Sequence, residues 1–342
     1  MHNHRKEIKG ISENNDINQD NKNEYQPFNT LNNNNNNNIQ KKFFLIKNET
    51  NSHRTSYTTN DSIYVGKYVN KKRNGHGKLI LADQSYYEGN FKNGEFDGMG
   101  YYKTKNYIYK GQFISGKKNG KGKLEDLNMK SIYEGEFKND FKDGYGIEKF
   151  IDGTIYKGNY LFGKREGNGI LIMKKEKKEL IYEGEFKNDK IWGKGKLKLD
   201  KDKEYIGDWE NNEISGFGIL SENGNKYIGY FLHDKKEGIG ANFYINKKFV
   251  ILGNWINDII EGIGVIYILK DNNNEINTDD IIDTNDNDEG KIIIMKEGNI
   301  INSDLTINEI NEIKSKKEYK DMIKIYKEKI IIEYYKNVNI NI

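Results

Sequence analysis

The chain reads as an all-β protein, an elongated single antiparallel sheet of about nine tandem β-hairpins, with a disordered N-terminal tail and a C-terminal helix. Two observations carry the repeat reading. The segment IYEGEFKND occurs twice, at 132–140 and 181–189, with starts 49 residues apart. Tyr156-Lys-Gly158-Asn-Tyr160 repeats its core between the two copies, so that spacing is two periods of a shorter repeat. Fixed-period self-similarity of this kind marks a repeat architecture rather than a single globular core.

Aligned on Tyr-x-Gly-x-aromatic, nine units begin at Tyr64, Tyr87, Tyr109, Tyr133, Tyr156, Tyr182, Tyr205, Tyr227 and Ile251. Counting the first residue of each unit as slot 1, slots 3, 12 and 14 are Gly in all nine units, which uses 27 of the 35 glycines. At a background of about 7% Gly, chance does not produce this. Slot 5 is aromatic throughout: Tyr68, Phe91, Phe113, Phe137, Tyr160, Phe186, Trp209, Phe231 and Trp255.

Each unit predicts a hairpin. Tyr133-Glu-Gly-Glu-Phe137 alternates ring, glycine and ring with charged residues, the period of a half-buried strand. Lys-Asn-Asp follows as a turn, and Gly-x-Gly-x-apolar resumes the period of two. Slot 16 is apolar except at Glu148 and Asn242. Glycine is poor in strands, so three per hairpin need a reason, and the simplest is space. Large rings at slots 1 and 5 would lie over bare backbone at slots 3, 12 and 14, those of one hairpin covering the glycines of the next. The hairpin register is not fixed by sequence. A lone hairpin is marginal, and stacking about 18 strands at ~4.8 Å gives a ribbon roughly 85 Å long.

Outside the repeats, residues 1–60 contain the Asn run of LNNNNNNNIQ and read as a disordered tail, with a capping strand at Phe43–Ile46. The repeats occupy 64–270. Residues 271–304 form an acidic linker, with eight acids and no base in 271–290 and one extra strand at Ile292–Met295. Residues 305–336 are helical, with capping boxes Thr306-x-x-Glu309 and Ser315-x-x-Glu318. After the second box, Tyr319, Met322, Ile323, Tyr326, Ile330 and Tyr334 fall on one helical face. That face either folds back over the open sheet or joins a partner.

Composition narrows function. There is no Cys, which excludes disulfides and thiolate chemistry, and the N-terminus MHNHRKE lacks the apolar core of a signal peptide. No apolar run reaches transmembrane length. A cytoplasmic chain is expected, cytoskeletal or peripheral at a membrane. The net charge of +3 hides a gradient: 64–200 carries 29 bases against 19 acids, whereas 201–266 carries 7 against 10. The first half therefore suits an anionic partner, and Lys174, Lys175, Lys177 and Lys178, in the longest inter-repeat link, are the candidate contacts with anionic phospholipid. Nucleic acid is not expected, because the rings are committed to the sheet and the charge excess is small. No cofactor, metal site or catalytic set is expected. The Gly-x-Gly pairs precede no helix, and the EF-hand-like spacing near 285–296 ends in Lys296 where a Glu should close the site.

The motif Tyr-x-Gly-x-aromatic-x-x-Gly-x-x-x-Gly-x-Gly, at a period near 23 residues, resembles the MORN repeat over about 64–270, best at Tyr87–Gly100, Tyr109–Gly122 and Tyr156–Gly169. The ninth unit departs, with Ile251 for Tyr. The resemblance implies an elongated sheet with an aromatic-lined groove, here Tyr64, Tyr68, Tyr87, Phe91, Tyr109, Phe113, Tyr133, Phe137, Tyr156, Tyr160, Tyr182, Phe186, Tyr205, Trp209, Tyr227, Phe231 and Trp255. Members of that family include junctophilins, radial-spoke head proteins, plant phosphatidylinositol phosphate kinases, a lysine methyltransferase and apicomplexan cytoskeletal proteins. The resemblance thus implies a repeat-only, protist-like, non-enzymatic scaffold with protein partners, and a homodimer joined through its C-terminal repeats. A phospholipid-binding tether is the alternative.

Overall fold

The computed structural model describes residues 55–59, 62–175, 178–268 and 291–333. Among the described residues the strands belong to one antiparallel sheet of 21 strands. The described residues form two compact units. The first runs to Lys174 and includes Phe186–Asp189; the second comprises the remainder.

The first unit holds β1 (Thr55–Thr59), β2 (Ser62–Val69), β3 (Lys72–Ile80), β4 (Tyr86–Lys92), β5 (Glu95–Lys103), β6 (Tyr107–Ile114), β7 (Lys117–Asp126), β8 (Ser131–Lys138), β9 (Phe141–Phe150), β10 (Ile155–Leu161) and β11 (Lys164–Lys175). Slots 1–5 lie on the even strands from β2 onward and slots 12–16 on the odd ones, so each unit is one hairpin. The predicted capping segment 43–46 lies outside the described residues. The strand paired to β2 is β1, with Tyr57 opposite Tyr64.

Register follows the glycines. Slot 3 of each strand faces slot 14 of its neighbours on both sides, so Gly66, Gly77, Gly89, Gly100, Gly111, Gly122, Gly135, Gly146, Gly158 and Gly169 form one row across the sheet. Within each hairpin the register then slips, as between Gly158 and Tyr160 of β10, where slots 11–13 of the return strand bulge. The slot-12 glycine makes that bulge: Gly167 has φ +70° and no atom within 4 Å of where a Cβ would stand except the Asn159 amide at 3.8 Å. Slot 12 is therefore Gly for its left-handed backbone, not for ring space, which corrects the sequence reading.

Hairpin tips are tied in series. The Gly94 N–H donates to Arg73 O (2.9 Å), Gly116 N–H to Phe96 O (2.9 Å), Asp140 N–H to Lys118 O (3.0 Å) and Gly163 N–H to Lys142 O (2.8 Å). Where slot 8 is Asp, its carboxylate also accepts from the previous hairpin, as Asp140 does from the Lys118 N–H (2.9 Å).

The second unit holds β12 (Lys178–Lys187), β13 (Lys190–Asp200), β14 (Lys203–Glu210), β15 (Glu213–Glu222), β16 (Asn225–Leu232), β17 (Lys235–Tyr244), β18 (Phe249–Ile256), β19 (Ile259–Ile268), β20 (Lys291–Lys296) and β21 (Asn299–Asn302). In this unit a glycine row runs from Gly195 to Gly264 and ends where Gly264 meets Ile293 of β20. Ile293 is fully buried, so β20–β21 is a tenth, degenerate hairpin whose side chain fills the glycine place. Its tip keeps the serial bond, Gly298 N–H to Ile260 O at 3.3 Å. The EF-hand-like spacing thus ends in strand.

After β21 come α1 (Ile307–Ser315) and α2 (Lys317–Ile325), which continues through a wider turn at Tyr326–Ile330. Thr306 and Glu309 form the predicted capping box. The second box does not form: the Ser315 hydroxyl donates to Glu312 O (2.6 Å), and Lys316 caps α2 with no side-chain bond. Met322, Tyr326 and Ile330 are buried against Ile219, Ile228, Ala241, Leu252 and Val265. Those five occupy slots 2 and 15, on the face opposite the rings. The helix thus folds back over an open face of the sheet, the first of the two alternatives the sequence left open. In earlier hairpins the same slots are mixed, with exposed Glu88, Lys110, Lys123 and Glu134 among half-buried Val65, Tyr101, Ile147 and Ile170.

Candidate binding surface

The aromatic residues form a closed row rather than an open groove. Every slot-1 Tyr is at most 2% exposed, and its ring lies on the glycines of its own hairpin. A Cβ on Gly169 would stand 2.6 Å from the Tyr156 ring. The sequence reading placed rings over the next hairpin's glycines; the structure assigns that bridging to slot 5 instead. Phe137 packs edge-on against Tyr133 of its own hairpin (5.2 Å) and Tyr109 of the preceding one (5.0 Å). Phe91, Phe113, Tyr160 and Phe231 are placed alike, Trp255 keeps the edge contact with Tyr227 of the preceding hairpin, and Tyr68, at the first hairpin, is half-buried against Tyr64.

The slot-1 hydroxyl explains why this position is Tyr rather than Phe. In all eight units that have it, it donates to the slot-4 carbonyl beside the bulge: Tyr64 to Lys67 O at 3.3 Å, and Tyr87, Tyr109, Tyr133, Tyr156, Tyr182, Tyr205 and Tyr227 to Asn90, Gln112, Glu136, Asn159, Glu185, Asp208 and Tyr230 at 2.9–3.0 Å. Burial raises the phenol pKa of each. In the ninth hairpin Ile251 is half-exposed, and Ile260 from slot 10 lies over Gly253 in place of the ring.

Slot 10, which sequence reasoning passed over, roofs the rings. Arg165 lies 5.6 Å from both Tyr156 and Phe186, Lys142 at 5.0 and 5.4 Å from Tyr133 and Tyr160, and Lys236 at 4.5 and 4.7 Å from Tyr227 and Trp255. In the second hairpin Phe96 stacks on Tyr87 at 3.7 Å. Burial pulls the Lys118 and Lys236 ammonium groups down to about 8. The signal was a slot filled only by Arg, Lys, Phe or Ile.

The slot-16 exception Glu148 is a buried acceptor. It takes bonds from Lys142 Nζ (2.6 Å), Ser131 Oγ (2.9 Å) and Tyr160 OH (2.9 Å). Burial opposes its ionisation, but the Lys142 charge and the three donors outweigh that and hold its pKa below the ordinary value.

The opposite face of the first unit is mixed, with ion pairs such as Lys78–Glu88 (3.1 Å) and Lys123–Glu134 (2.6 Å) beside exposed Ile63, Ile80 and Ile132. Of the candidate lipid contacts, Lys174 is exposed and Lys178 pairs with Asp200 at 3.3 Å; the side chains of Lys175 and Lys177 lie outside the described residues. Among the described residues no group of three or more His, Asp or Glu could hold a metal, and no helix is long and apolar enough to cross a membrane.

The MORN repeat family model matches residues 64–86, 87–107, 109–126, 133–155, 156–174, 182–200, 205–226 and 252–267. It passes over the hairpin beginning at Tyr227, which shares the ring, glycine and hydroxyl geometry of the others. Among curated proteins, human alsin is 27% identical over 200 residues, 55% of this chain but 10% of alsin. MORN repeat-containing protein 3 of Xenopus laevis is 36% identical over 106 residues, 29% of this chain and 34% of that protein. The chain therefore spans about a tenth of alsin's length and a third of the other relative's. On the matched repeats and the hairpin sheet they build, this chain belongs to the MORN-repeat proteins.

Proposed function

We propose that the chain is a non-enzymatic scaffold that binds protein partners at a membrane-associated cytoskeleton. The observation that carries this is where the chemistry goes. The rings, the roofing cations and the buried Glu148 network are consumed in holding hairpins together. What remains outside is an array of exposed charges, tip side chains and apolar residues such as Met99 and Ile132, a surface suited to contact rather than to reaction. Proximity labelling with the full chain in its native cell tests the reading. Enrichment of cortical or cytoskeletal proteins supports it, and labelling no different from an unfused labelling enzyme refutes it.

The alternative, a tether to anionic phospholipid, is favoured by the 29 bases against 19 acids of residues 64–200. The Lys178–Asp200 pair weakens the 174–178 cluster as its seat. Sedimentation with anionic vesicles separates the readings. Binding that falls steeply with salt and with lysine-to-glutamine changes at 174–178 supports the tether.

A further inference from the structure

We infer that the tips of hairpins three to five form a docking rim for an acidic peptide with apolar anchors. The inference rests on the scaffold reading and names the place and chemistry of one contact. Its starting point is Phe162. Slot 7, the turn apex, takes a left-handed backbone in every hairpin, with φ between +48° and +53° at Asn70, Asn93, Ser115, Asn139, Phe162, Asn188, Asn211, His233 and Asn257. Asn serves there because its short polar side chain tolerates that conformation. Phe162 alone puts an apolar ring at the apex, at φ +50°, and leaves it 68% exposed. Its N–H is held by Asp143 (3.4 Å), while its ring gains only one edge contact, Phe141 at 6.3 Å. Strain and exposure without a packing return mark a side chain kept for something outside the chain.

Its neighbours extend the rim. Slots 6 and 9 pair across each tip, and in these hairpins every pair joins one exposed apolar side chain to one exposed lysine: Ile114 with Lys117, Phe141 with Lys138, and Leu161 with Lys164. The four apolar residues are 46–68% exposed. The tip carboxylates face inward, since Asp140 accepts from the Lys118 N–H and Asp143 from the Phe162 N–H. Lysines therefore set the outward charge, and the complementary partner is acidic. Tips recur every two strands, about 10 Å apart. Seven residues of helix span about 10.5 Å, so apolar anchors at i, i+7 and i+14 would meet three successive tips. A footprint limited to three tips fits a short peptide better than a membrane plane.

The test selects peptides of about 15 residues from a random display library on the full chain, then measures the winners by fluorescence polarisation. Acidic sequences with spaced apolar residues should emerge, and Phe162→Asn should weaken them by about tenfold or more. The same substitution supplies the residue most sister tips use, so its melting temperature should equal or exceed wild type, which separates a binding loss from misfolding. Lys164→Glu should weaken binding in the same direction. Winners that are basic, or that bind Phe162→Asn equally, overturn the rim. So does Phe162-dependent sedimentation with phosphatidylserine vesicles when no peptide is selected. Native partners that label wild type and Phe162→Asn alike overturn the rim but leave the scaffold standing.

Discussion

The glycine slots make separable demands, and one mutant cycle in β10–β11 isolates them. Gly167 needs a left-handed backbone and has open space around it, with a single atom at 3.8 Å. Gly167→Ala should therefore cost the conformational penalty alone, about 1–2 kcal/mol. Gly169 is the reverse. Its backbone is ordinary for a strand, but a Cβ would stand 2.6 Å from both Cε2 and the hydroxyl of Tyr156. No backbone atom is among its nearest neighbours, so the ring must move. Tyr156 is fully buried and its hydroxyl holds Asn159 O at 3.0 Å. Overpacking plus that lost bond should make Gly169→Ala cost about 2–4 kcal/mol. With Tyr156→Ala as background the obstacle is gone. The second substitution should then be near neutral, because Ala also restricts the unfolded chain by about 0.4–1 kcal/mol relative to Gly. The expected coupling is at least about 2 kcal/mol. Repeat arrays unfold in parts, so urea titration should be paired with amide exchange read on Tyr156–Ile172. An equal cost for Gly169→Ala in both backgrounds would refute the account of the glycine row as a floor for the rings. A Gly167→Ala cost that depends on Tyr156 would refute the separation of the slots.

Three further outcomes are expected. Tyr133→Phe removes only the donor to Glu136 O and should cost about 1 kcal/mol by urea titration, whereas loss of the ring in Phe137→Ala should cost about 3–5 kcal/mol. In alkali the array should fail above pH 10. The slot-1 phenols stay protonated in the fold while the unfolded chain ionises near its ordinary value, so the folded state holds more protons and each Tyr withdraws up to ~1.4 kcal/mol of stability per pH unit. Lys118 and Lys236, lowered to about 8, act oppositely: the unfolded chain keeps those protons longer, so the urea midpoint should rise between pH 8 and 10 before it falls. Truncation after Ser303 bares Ile228, Leu252 and Val265, and light scattering should show a less stable chain that associates; a well-folded monomer would remove the helix's covering role.

Much of this was legible in the sequence because the signal repeats nine times. A hairpin of period two with invariant glycines and rings admits one architecture, since no single hairpin is stable and each must find its core in the next. The Thr306 capping box was legible too, being local. What pairs with what was not. The bulge at slot 12, the seating of each Tyr on its own hairpin and the bridging by slot 5 follow from register, which side-chain period alone does not set. The roof at slot 10 and the Glu148 cluster depend on residues brought together across strands, and at slot 16 Glu148 read only as an exception. The helix was visible as an amphipathic stripe, but its seat was not. Slots 2 and 15 change from a mixture of Glu88, Lys110 and Lys123 with Tyr101 and Ile147 to the uniformly apolar Ile228, Ala241 and Leu252, a pattern that becomes meaningful only once the two slots are known to share a face. Sequence determined the repeating unit, because its constraints are local and recur. Tertiary structure decided the register and the covered face, because those depend on which strands lie side by side.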